Sequence, residues 1–298
     1  MKIVVAGATG FIGTALTAHL RGQGHDVVRL VRSRPTGSDV LWNPAAAELP
    51  TDALAGADAV VNLAGAGIND HRWTDAYRKE LVDSRTQSTG LLASAVAAAG
   101  TDGPRVFLSG SAIGAYGPSD SRELDEASAP GTDFLAGLVR QWEAAAAPAV
   151  DGGARVAFLR TGIVLSPGGG ALKKMLPLFK LGVGGRFGNG HQWQSWITLP
   201  DEVAAITHLL TADVEGPVNL TAPNPVTNAE FTKVLARVLH RPAFLPVPRF
   251  GPALLLGGEL ADALLYTGQR VLPRALESSG FEWQHPTLEA GLRAVLGR

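Results

Sequence analysis

The chain has 298 residues, enough for one large α/β domain with a smaller domain attached. Its 26 Lys and Arg residues nearly balance 27 Asp and Glu residues, so the net charge of −1 offers no basic surface for nucleic acid or an anionic membrane. Because cysteine is absent, disulfides, thiolate metal sites and cysteine nucleophiles are excluded; no metal site is predicted, and a small-molecule substrate is favoured.

The N-terminus leads directly into a predicted strand, which leaves no room for a signal peptide. No apolar run reaches the roughly 18 residues that a membrane span needs. We therefore expect a cytoplasmic protein with no membrane segment. A homodimer is compatible with the sequence.

The first thirteen residues combine a short apolar strand, Ile3 to Ala6, with three glycines spaced three residues apart. A helix is predicted from Thr14 to Gly22 directly after them. This order is typical of a phosphate cradle, in which glycines permit a sharp turn and a close backbone approach at a helix N-terminus. The alternative is a glycine-rich turn that binds no ligand. The residues expected to contact a dinucleotide are Gly7, Thr9, Gly10, Phe11, Ile12 and Gly13.

The second predicted strand, Asp26 to Val31, ends where NAD-binding folds usually carry an acidic residue for the adenosine ribose. Val31 takes that place, and Arg32, Ser33 and Arg34 follow it. Guanidinium groups form charge-assisted hydrogen bonds with phosphate, so these residues predict NADP as the cofactor. A solvated basic turn is the alternative interpretation.

Further strands are predicted at Ala59 to Leu63, Arg105 to Ser109 and Arg155 to Arg160, with a long helix over Tyr77 to Ala99. The alternation of strands and helices predicts an α/β fold with a Rossmann-type, doubly wound parallel sheet. This domain is expected to include residues 1–165 and about 196–220. A smaller C-terminal cap domain is expected to include residues 166–195 and 221–298.

Small residues at the tip of a central strand allow the backbone to approach a cofactor. Leu63, Ala64 and Gly65 are therefore expected to contact it. On the helix that follows, Glu80 and Arg85 lie on nearly the same face, where Arg85 is within reach of the pyrophosphate or the nicotinamide ribose. A surface salt bridge between these two residues explains them equally well.

Motifs shared with one known family run through nearly the whole chain. They are Gly7-Ala-Thr-Gly-Phe-Ile-Gly13, Asn62-Leu-Ala-Gly65, Arg72-Trp73, Ser84-Arg85, Phe134-Leu-Ala136, Trp142-Glu143, Arg160-Thr-Gly162, Gly184-Gly185, Gly190-His-Gln-Trp193, Ser195-Trp-Ile197 and Asn219-Leu-Thr-Ala-Pro223. On these motifs the chain resembles the extended short-chain dehydrogenase/reductases, within them an atypical, epimerase-like branch. The resemblance implies a Rossmann domain under a small C-terminal domain, with NADP as cofactor. Val164 completes the expected cofactor contacts.

Typical members of that family carry a Ser or Thr and a Tyr-x-x-x-Lys pair, in which the lysine lowers the pKa of the tyrosine for proton transfer. This chain lacks the pair, because Leu81, Asp120 and Arg270 stand four places after its three tyrosines. Counted from Trp142-Glu143, apolar Leu135 and Val139 take the two positions. The usual proton relay is therefore expected to be missing.

Two hydroxyl groups remain candidates for catalysis. Ser111 is similar in position to the catalytic Ser or Thr of the family, and Tyr116 is the phenol near the same strand end. Ser111 could instead satisfy backbone groups in a Gly-rich turn, and Tyr116 could be a packed aromatic with its hydroxyl bonded.

The cap is expected to supply the substrate contacts. His191, Gln192, Trp193 and Trp196 place polar groups beside large rings on a loop of small residues, a composition common in pocket walls. Arg72 and Trp73 are expected to form the opposite wall. The sequence thus predicts an NADP-dependent oxidoreductase or epimerase-like enzyme for a small polar substrate, with a sugar derivative as one option. The rival is a catalytically silent NADP-binding redox sensor or regulatory module.

Overall fold

The computed structural model describes residues 1–243 and 246–298. The strands are β1 (Lys2–Ala6), β2 (Asp26–Val31), β3 (Val40–Leu41), β4 (Ala59–Asn62), β5 (Val106–Ala112), β6 (Glu123–Leu124), β7 (Arg155–Thr161), β8 (Ile163–Leu165), β9 (Trp193–Gln194), β10 (Trp196–Thr198), β11 (Gly216–Leu220), β12 (Val226–Thr227) and β13 (Arg270–Val271). The α-helices are α1 (Phe11–Gly22), α2 (Asp75–Ala99), α3 (Phe134–Ala144), α4 (Ala147–Asp151), α5 (Gly170–Lys180), α6 (Leu199–Leu209), α7 (Asn228–Leu239), α8 (Phe250–Leu256), α9 (Gly258–Ala261), α10 (Arg274–Ser278) and α11 (Leu288–Leu296).

Seven parallel strands form the central sheet in the order β11-β7-β5-β4-β1-β2-β3. Ile3 of β1 lies between Val27 of β2 and Ala59 of β4. The strand order reverses at β1, and open α/β sheets bind ligands at the carboxyl ends of the strands beside such a switch point. The predicted Rossmann-type fold is therefore confirmed, and the carboxyl ends of β1 and β4 are the expected ligand edge.

Apolar side chains cover both faces of this sheet because neighbouring residues of a strand point to opposite sides. Ile3 and Val5 pack with α1 and α6 on one face, whereas Val4 and Ala6 pack with α2 and α4 on the other. Strands buried on both faces read as the continuous apolar runs seen in the sequence.

A separate apolar core lies under the C-terminal part of the chain. Leu172 of α5, Leu235 of α7 and Leu292 of α11 are fully buried in it. Leu276 and Phe281, in contrast, pack into the core of the main sheet, although the sequence assigned residues 221–298 to the cap. Residues 221–298 thus contribute to both cores, and the boundary of the cap domain stays a prediction.

None of the helices in the described ranges has both the length and the apolar character that crossing a bilayer requires.

Candidate functional site

The first turn of α1 presents a backbone surface suited to an anion. Gly10 caps this 12-residue helix without a side-chain hydrogen bond, and its first turn carries no acidic residue. The leading N–H groups of such a helix have no partner within the helix and carry a partial positive charge. Together with exposed Thr9 and Gly10, this end of α1 fits a phosphate group.

Two glycines bring this turn against β4. Gly7 adopts φ +73, and a Cβ atom there would lie 2.5 Å from the carbonyl carbon of Leu63. A Cβ atom at Gly13 would lie 2.1 Å from the carbonyl oxygen of Gly7, so only glycine allows α1 to pack this closely. The contact places Leu63 and Ala64 beside the cradle, as a shared cofactor site requires.

Asn62 shapes the tip of β4 and was not assigned a role from the sequence. It is fully buried; its Oδ1 accepts a hydrogen bond from the Ala64 N–H at 3.1 Å, and its Nδ2 donates to Thr89 Oγ1 at 2.9 Å. These bonds hold the turn that carries Ala64 and Gly65. The Asn62-Leu-Ala-Gly65 motif was the available signal.

The guanidinium group of Arg85 lies against Gly65, since a Cβ atom there would be 3.2 Å from Arg85 Cγ. Its central carbon is 5.0 Å from the centroid of the Trp142 ring, and one terminal nitrogen donates to the Leu81 carbonyl at 3.0 Å. The buried Nε has no hydrogen-bond partner, and burial lowers the pKa of Arg85 to about 10. Among the described residues Arg85 forms no ion pair with exposed Glu80, so the surface salt bridge is not observed.

Arg32, Ser33 and Arg34 are exposed directly after β2, and Arg34 adopts a left-handed φ of 50°. Arg32 lines an open cleft of about 650 Å³ with Trp42 and Asn43. Within residues 1–243 and 246–298, neither arginine forms a salt bridge. Their charges are therefore available to a ligand.

Val164 is almost fully buried on the cap side of the sheet. A Cβ atom at Gly170 would lie 3.1 Å from the Val164 carbonyl oxygen, and one at Gly169 would lie 2.3 Å from the Phe11 ring. The start of α5 therefore packs over Phe11, which connects Val164 to the cradle through these glycines.

Ser111 lies at the end of β5, but its hydroxyl is used inside the protein. The residue is 5 % exposed, and its Oγ donates a hydrogen bond to Glu143 Oε1 at 2.6 Å. Arg160, beside Ser111 on β7, donates two hydrogen bonds to the same carboxylate at 2.9 Å. Burial opposes the charge of Arg160, but the hydrogen bonds and the charge of Glu143 outweigh it and hold its pKa above the usual value.

Tyr116 continues this network and is 3 % exposed. Its hydroxyl donates to Asn219 Oδ1 at 2.7 Å and accepts from a terminal nitrogen of Arg160 at 3.0 Å. Burial raises the pKa of the phenol, although Arg160 and Asn219 partly counteract it. Both hydroxyls are therefore buried and hydrogen-bonded within the protein, and the catalytic roles of Ser111 and Tyr116 stay predictions. Neither Glu143 nor Asn219 was predicted as a partner, although both lie in the shared motifs.

The positions expected for the missing pair are apolar in the structure as well. Val139 is buried with Leu138 and Trp142, and Leu135 on the same helix lies near Gly114 after β5. Ala112, the last residue of β5, is half-buried. Apolar groups thus lie around Val139 and beside Leu135, the two positions at which the family resemblance predicts the Tyr and Lys.

The cap loop is divided between the core and the surface. Trp196 is fully buried in the C-terminal core. Its indole N–H donates to the Asn224 carbonyl at 3.0 Å. Its role as a substrate contact stays a prediction, and its ring has no solvent-exposed surface. His191 is exposed, and no side-chain hydrogen bond is formed by it among the described residues.

The neighbours of His191 hold the cap together. Gln192 Nε2 donates to the Leu265 carbonyl at 2.6 Å, and one face of the half-buried Trp193 ring carries the guanidinium group of Arg270, 4.5 Å from its centroid. Gln192 therefore anchors the loop, and Trp193 packs against Arg270.

The proposed opposite wall also contacts the cap. Arg72 is exposed and donates to the Leu254 carbonyl of α8. Trp73 donates to the Ile68 carbonyl at 3.0 Å and meets the Phe134 ring edge-on, with 5.0 Å between centroids. The structure thus brings the loop after β4 against the C-terminal domain.

Comparison with known proteins agrees with this arrangement. The model of the NAD dependent epimerase/dehydratase family matches residues 3–221, and a domain of unknown function (DUF1731) matches residues 247–295. Epimerase family protein Mb2239 of Mycobacterium bovis is 46% identical over 97% of this chain and 96% of its own length. Human epimerase family protein SDR39U1 is 40% identical over 99% of this chain and its own full length.

A crystal structure of the human protein with NADPH has a TM-score of 0.91 and 39% identity, covering 100% of this chain and 99% of that one. A UDP-glucose 4-epimerase of Thermotoga maritima, at 17% identity and a TM-score of 0.79, shares the fold, covering 100% of this chain and 98% of that one. The family motifs, the sheet order and these similarities lead to one assignment: the chain belongs to the NAD dependent epimerase/dehydratase family.

Proposed function

We propose that this protein is an NADPH-dependent oxidoreductase or epimerase-like enzyme for a small polar substrate. The cradle of Gly7, Thr9, Gly10, Phe11, Ile12 and Gly13 would hold the pyrophosphate, and Arg32, Ser33 and Arg34 the 2′-phosphate. Leu63, Ala64, Gly65, Glu80, Arg85 and Val164 would contact the remaining cofactor. The human relative crystallised with NADPH supports this choice of nucleotide.

The observation that carries the proposal is that several donors and positive charges along this edge have no hydrogen-bond or salt-bridge partner among the described residues. The helix α1 has no side-chain cap, Arg85 Nε is buried without a partner, and Arg32 and Arg34 form no salt bridge in the described chain. Leaving a buried donor unpaired costs about 1–3 kcal/mol, which an anionic ligand would recover. The residues present therefore fit a phosphorylated dinucleotide.

When bound, NADPH supplies a hydride, while the protein supplies orientation and electrostatics. Ser111 and Tyr116 would act by holding the end of β5 in place, since their hydroxyls serve the Glu143 and Arg160 network. His191 on the cap loop is then the remaining side chain from the sequence predictions that could exchange a proton with substrate. Water or the substrate itself is the other route.

The second candidate is a catalytically silent NADPH-binding module. Apolar Leu135 and Val139 beside two internally bonded hydroxyls favour it. A redox sensor needs the nucleotide site but no proton-transfer group. The unpaired donors near β1 and β4 and the bonded hydroxyls at the end of β5 fit this combination.

Cofactor choice is tested by titrating NADPH and NADH into wild type and Arg32→Ala. We expect wild type to prefer NADPH, and the variant to lose about 1–3 kcal/mol of NADPH binding with NADH nearly unchanged. Arg105→Ala, at the amino edge of the sheet, is the matched control and should bind both nucleotides like wild type. A wild-type preference for NADH would reject the assignment.

Catalysis is tested by following NADPH consumption with carbonyl compounds and nucleotide sugars. Any activity of the wild type should be lower in His191→Ala. It should persist in the folded fraction of Ser111→Ala and Tyr116→Phe. Activity that is unaffected by all three changes would leave the substrate and water as the proton source. Tight NADPH binding without activity on any substrate would support the silent module.

A further inference from the structure

The loop between β2 and β3 carries the arginines proposed for the 2′-phosphate, and it folds around a single carboxylate. Asp39, at the end of this loop, accepts hydrogen bonds from the Thr36 N–H at 2.9 Å and from the Thr36 hydroxyl at 3.0 Å. The Asp39 N–H in turn donates to the Thr36 carbonyl at 3.1 Å. These bonds close a tight turn over residues 36–39.

Arg29 of β2 ties this turn to the sheet. Its Nε and one terminal nitrogen donate to the two oxygens of Asp39 at 2.7 and 2.6 Å, a bidentate pair that fixes orientation as well as distance. The Asp39 side chain is 2 % exposed, so water competes little for it. The hydrogen bonds from Arg29, followed by those from Thr36, lower the pKa of Asp39 to about 2. The Arg29–Asp39 pair, here called the clamp, is therefore charged throughout the physiological pH range.

The clamp also makes Arg29 different from the other two arginines of this region, because its charge is paired and theirs, in the described chain, are not. Arg29 is neutralised by Asp39, whereas Arg32 and Arg34, a few residues further along, are exposed and form no salt bridge within the described residues. Arg34 itself adopts a left-handed backbone conformation, which is uncommon for a residue other than glycine and indicates an ordered loop. Anchoring at Asp39 restricts how far this loop can move from the end of β2.

We propose that Asp39 and Arg29 are positioning residues for coenzyme choice, which hold the β2–β3 loop so that Arg32 and Arg34 meet the 2′-phosphate of NADPH. Neither residue touches the nucleotide in this proposal, which rests on the proposed NADPH function. Because NADH has no 2′-phosphate, the pair contributes to NADPH binding and hardly to NADH binding.

The test compares Asp39→Asn with wild type by titrating NADPH, NADH, 2′-AMP and 5′-AMP into each protein. We expect about a tenfold loss of NADPH and 2′-AMP affinity, the scale of one misplaced charge-assisted hydrogen bond, and less than a twofold change for NADH and 5′-AMP. Asp39→Glu, which keeps the charge, should lose less NADPH affinity than Asp39→Asn. Asp26→Asn, an exposed carboxylate at the opposite end of β2, is the matched control and should change nothing.

Arg29→Lys provides a second, less disruptive variant, since lysine keeps the charge but cannot form the bidentate pair. It should also lower the NADPH to NADH affinity ratio. Equal losses for both nucleotides would show a general structural role and overturn the proposal, as would an unchanged ratio in Asp39→Asn. A gain in NADPH affinity would overturn it too, by showing that freed Arg29 binds the phosphate itself. A wild type without preference for NADPH would instead refute the proposed function.

Discussion

The carboxyl edge of the sheet has two halves that use their polar groups in opposite ways. The open half comprises the β1–α1 turn, the β4 tip and the β2–β3 loop, and the saturated half lies at the end of β5. In the open half, the α1 N-terminus has no side-chain cap, Arg85 Nε is buried without a hydrogen-bond partner, and Arg32 and Arg34 form no salt bridge among the described residues. At the end of β5, the hydroxyls of Ser111 and Tyr116 are saturated by Glu143, Arg160 and Asn219. Both halves derive from motifs of the same family.

This difference separates binding from chemistry. An anionic ligand would complete the unpaired donors of the open half, which supports the proposed nucleotide site there. A hydrogen-bonded network gains rigidity, and we propose that its hydroxyls stabilise the end of β5. We expect mutations in the first half to change nucleotide affinity, and mutations in the second half to change stability with little effect on affinity.

The largest effect is expected for Gly13→Ala, which tests whether the cradle depends on close packing. The added Cβ atom would lie 2.1 Å from the Gly7 carbonyl oxygen, so α1 must move away from β1. We expect a loss of about 3–5 kcal/mol in unfolding free energy and no measurable NADPH binding. Denaturant unfolding and nucleotide titration measure both.

Gly22→Ala on the same helix is the control, because a Cβ atom there would meet nothing within 4 Å. It should be as stable as wild type or slightly more stable. Normal NADPH binding by Gly13→Ala would show that the cradle tolerates a shift of α1, and would weaken its role as the phosphate site.

Arg160→Met tests the saturated half. It leaves the Glu143 carboxylate in a largely buried position without its cation and removes the donor to Tyr116. Breaking such a pair typically costs about 3 kcal/mol, which thermal or denaturant unfolding would detect. The protein that remains folded should bind NADPH within about twofold of wild type.

Arg237→Met is the matched control, since Arg237 pairs with Glu289 on the surface. Exposed pairs contribute about 0–1 kcal/mol, so its stability should hardly change. A strong loss of NADPH affinity in Arg160→Met at full stability would contradict the separation of the two halves and place the network in the cofactor site.

The strand, turn and helix of the open half were largely predictable from the sequence because local patterns determine them. The Gly7 to Gly13 spacing needs only a strand and a helix beside it, and both were evident from periodicity. The predicted boundaries were shifted, with α1 starting at Phe11 rather than Thr14 and β5 ending at Ala112 rather than Ser109. Both elements extend because tertiary contacts stabilise their ends beyond what local periodicity shows.

The saturated half was not predictable in the same way. Ser111 and Glu143 are 32 residues apart, and Tyr116 and Asn219 are 103 apart. A serine or tyrosine at a strand end has the same appearance in sequence whether its hydroxyl is free or bonded. The burial of Trp196 is a related case, since loop composition does not reveal which of several rings turns into the core.

A second carboxylate, beside β7, sharpens the comparison because it forms no ion pair among the described residues. Glu202 is fully buried, and the Thr161 hydroxyl donates to its Oε1 at 2.8 Å, while Oε2 is unpaired. Burial raises the pKa of Glu202 from 4.5 to about 8. The folded protein therefore keeps a proton that the unfolded chain loses between these two pH values, and the unfolding free energy of wild type falls as pH rises through this window.

Glu202→Gln removes this dependence. Its unfolding free energy relative to wild type should be lowest below pH 4.5 and should rise by about 2 kcal/mol toward pH 8, less than full linkage gives because buried carboxyls relax toward water. Denaturant titrations across this range measure the difference. Exposed Glu282→Gln is the control and should follow wild type. Parallel wild-type and Glu202→Gln profiles would show that Glu202 is ionised in the fold.

The smallest effect is expected for Arg85→Met, which asks whether one residue of the open half exists for the ligand alone. Methionine fills similar space against Gly65 and Trp142 and removes a buried Nε that has no partner. Stability should therefore stay within about 0.5 kcal/mol of wild type or improve, because a desolvated cation is lost.

NADPH affinity of the same variant should fall about tenfold, or about 1.4 kcal/mol, because a cationic contact to the nucleotide disappears. Lys79→Met, an exposed cation on the same helix, is the control and should alter neither quantity. Opposite responses of stability and affinity at Arg85 would identify a group whose partner is the cofactor. A loss of stability with unchanged affinity would instead assign Arg85 to the packing of α2 against β4, and the open half of the edge would then end at Gly65.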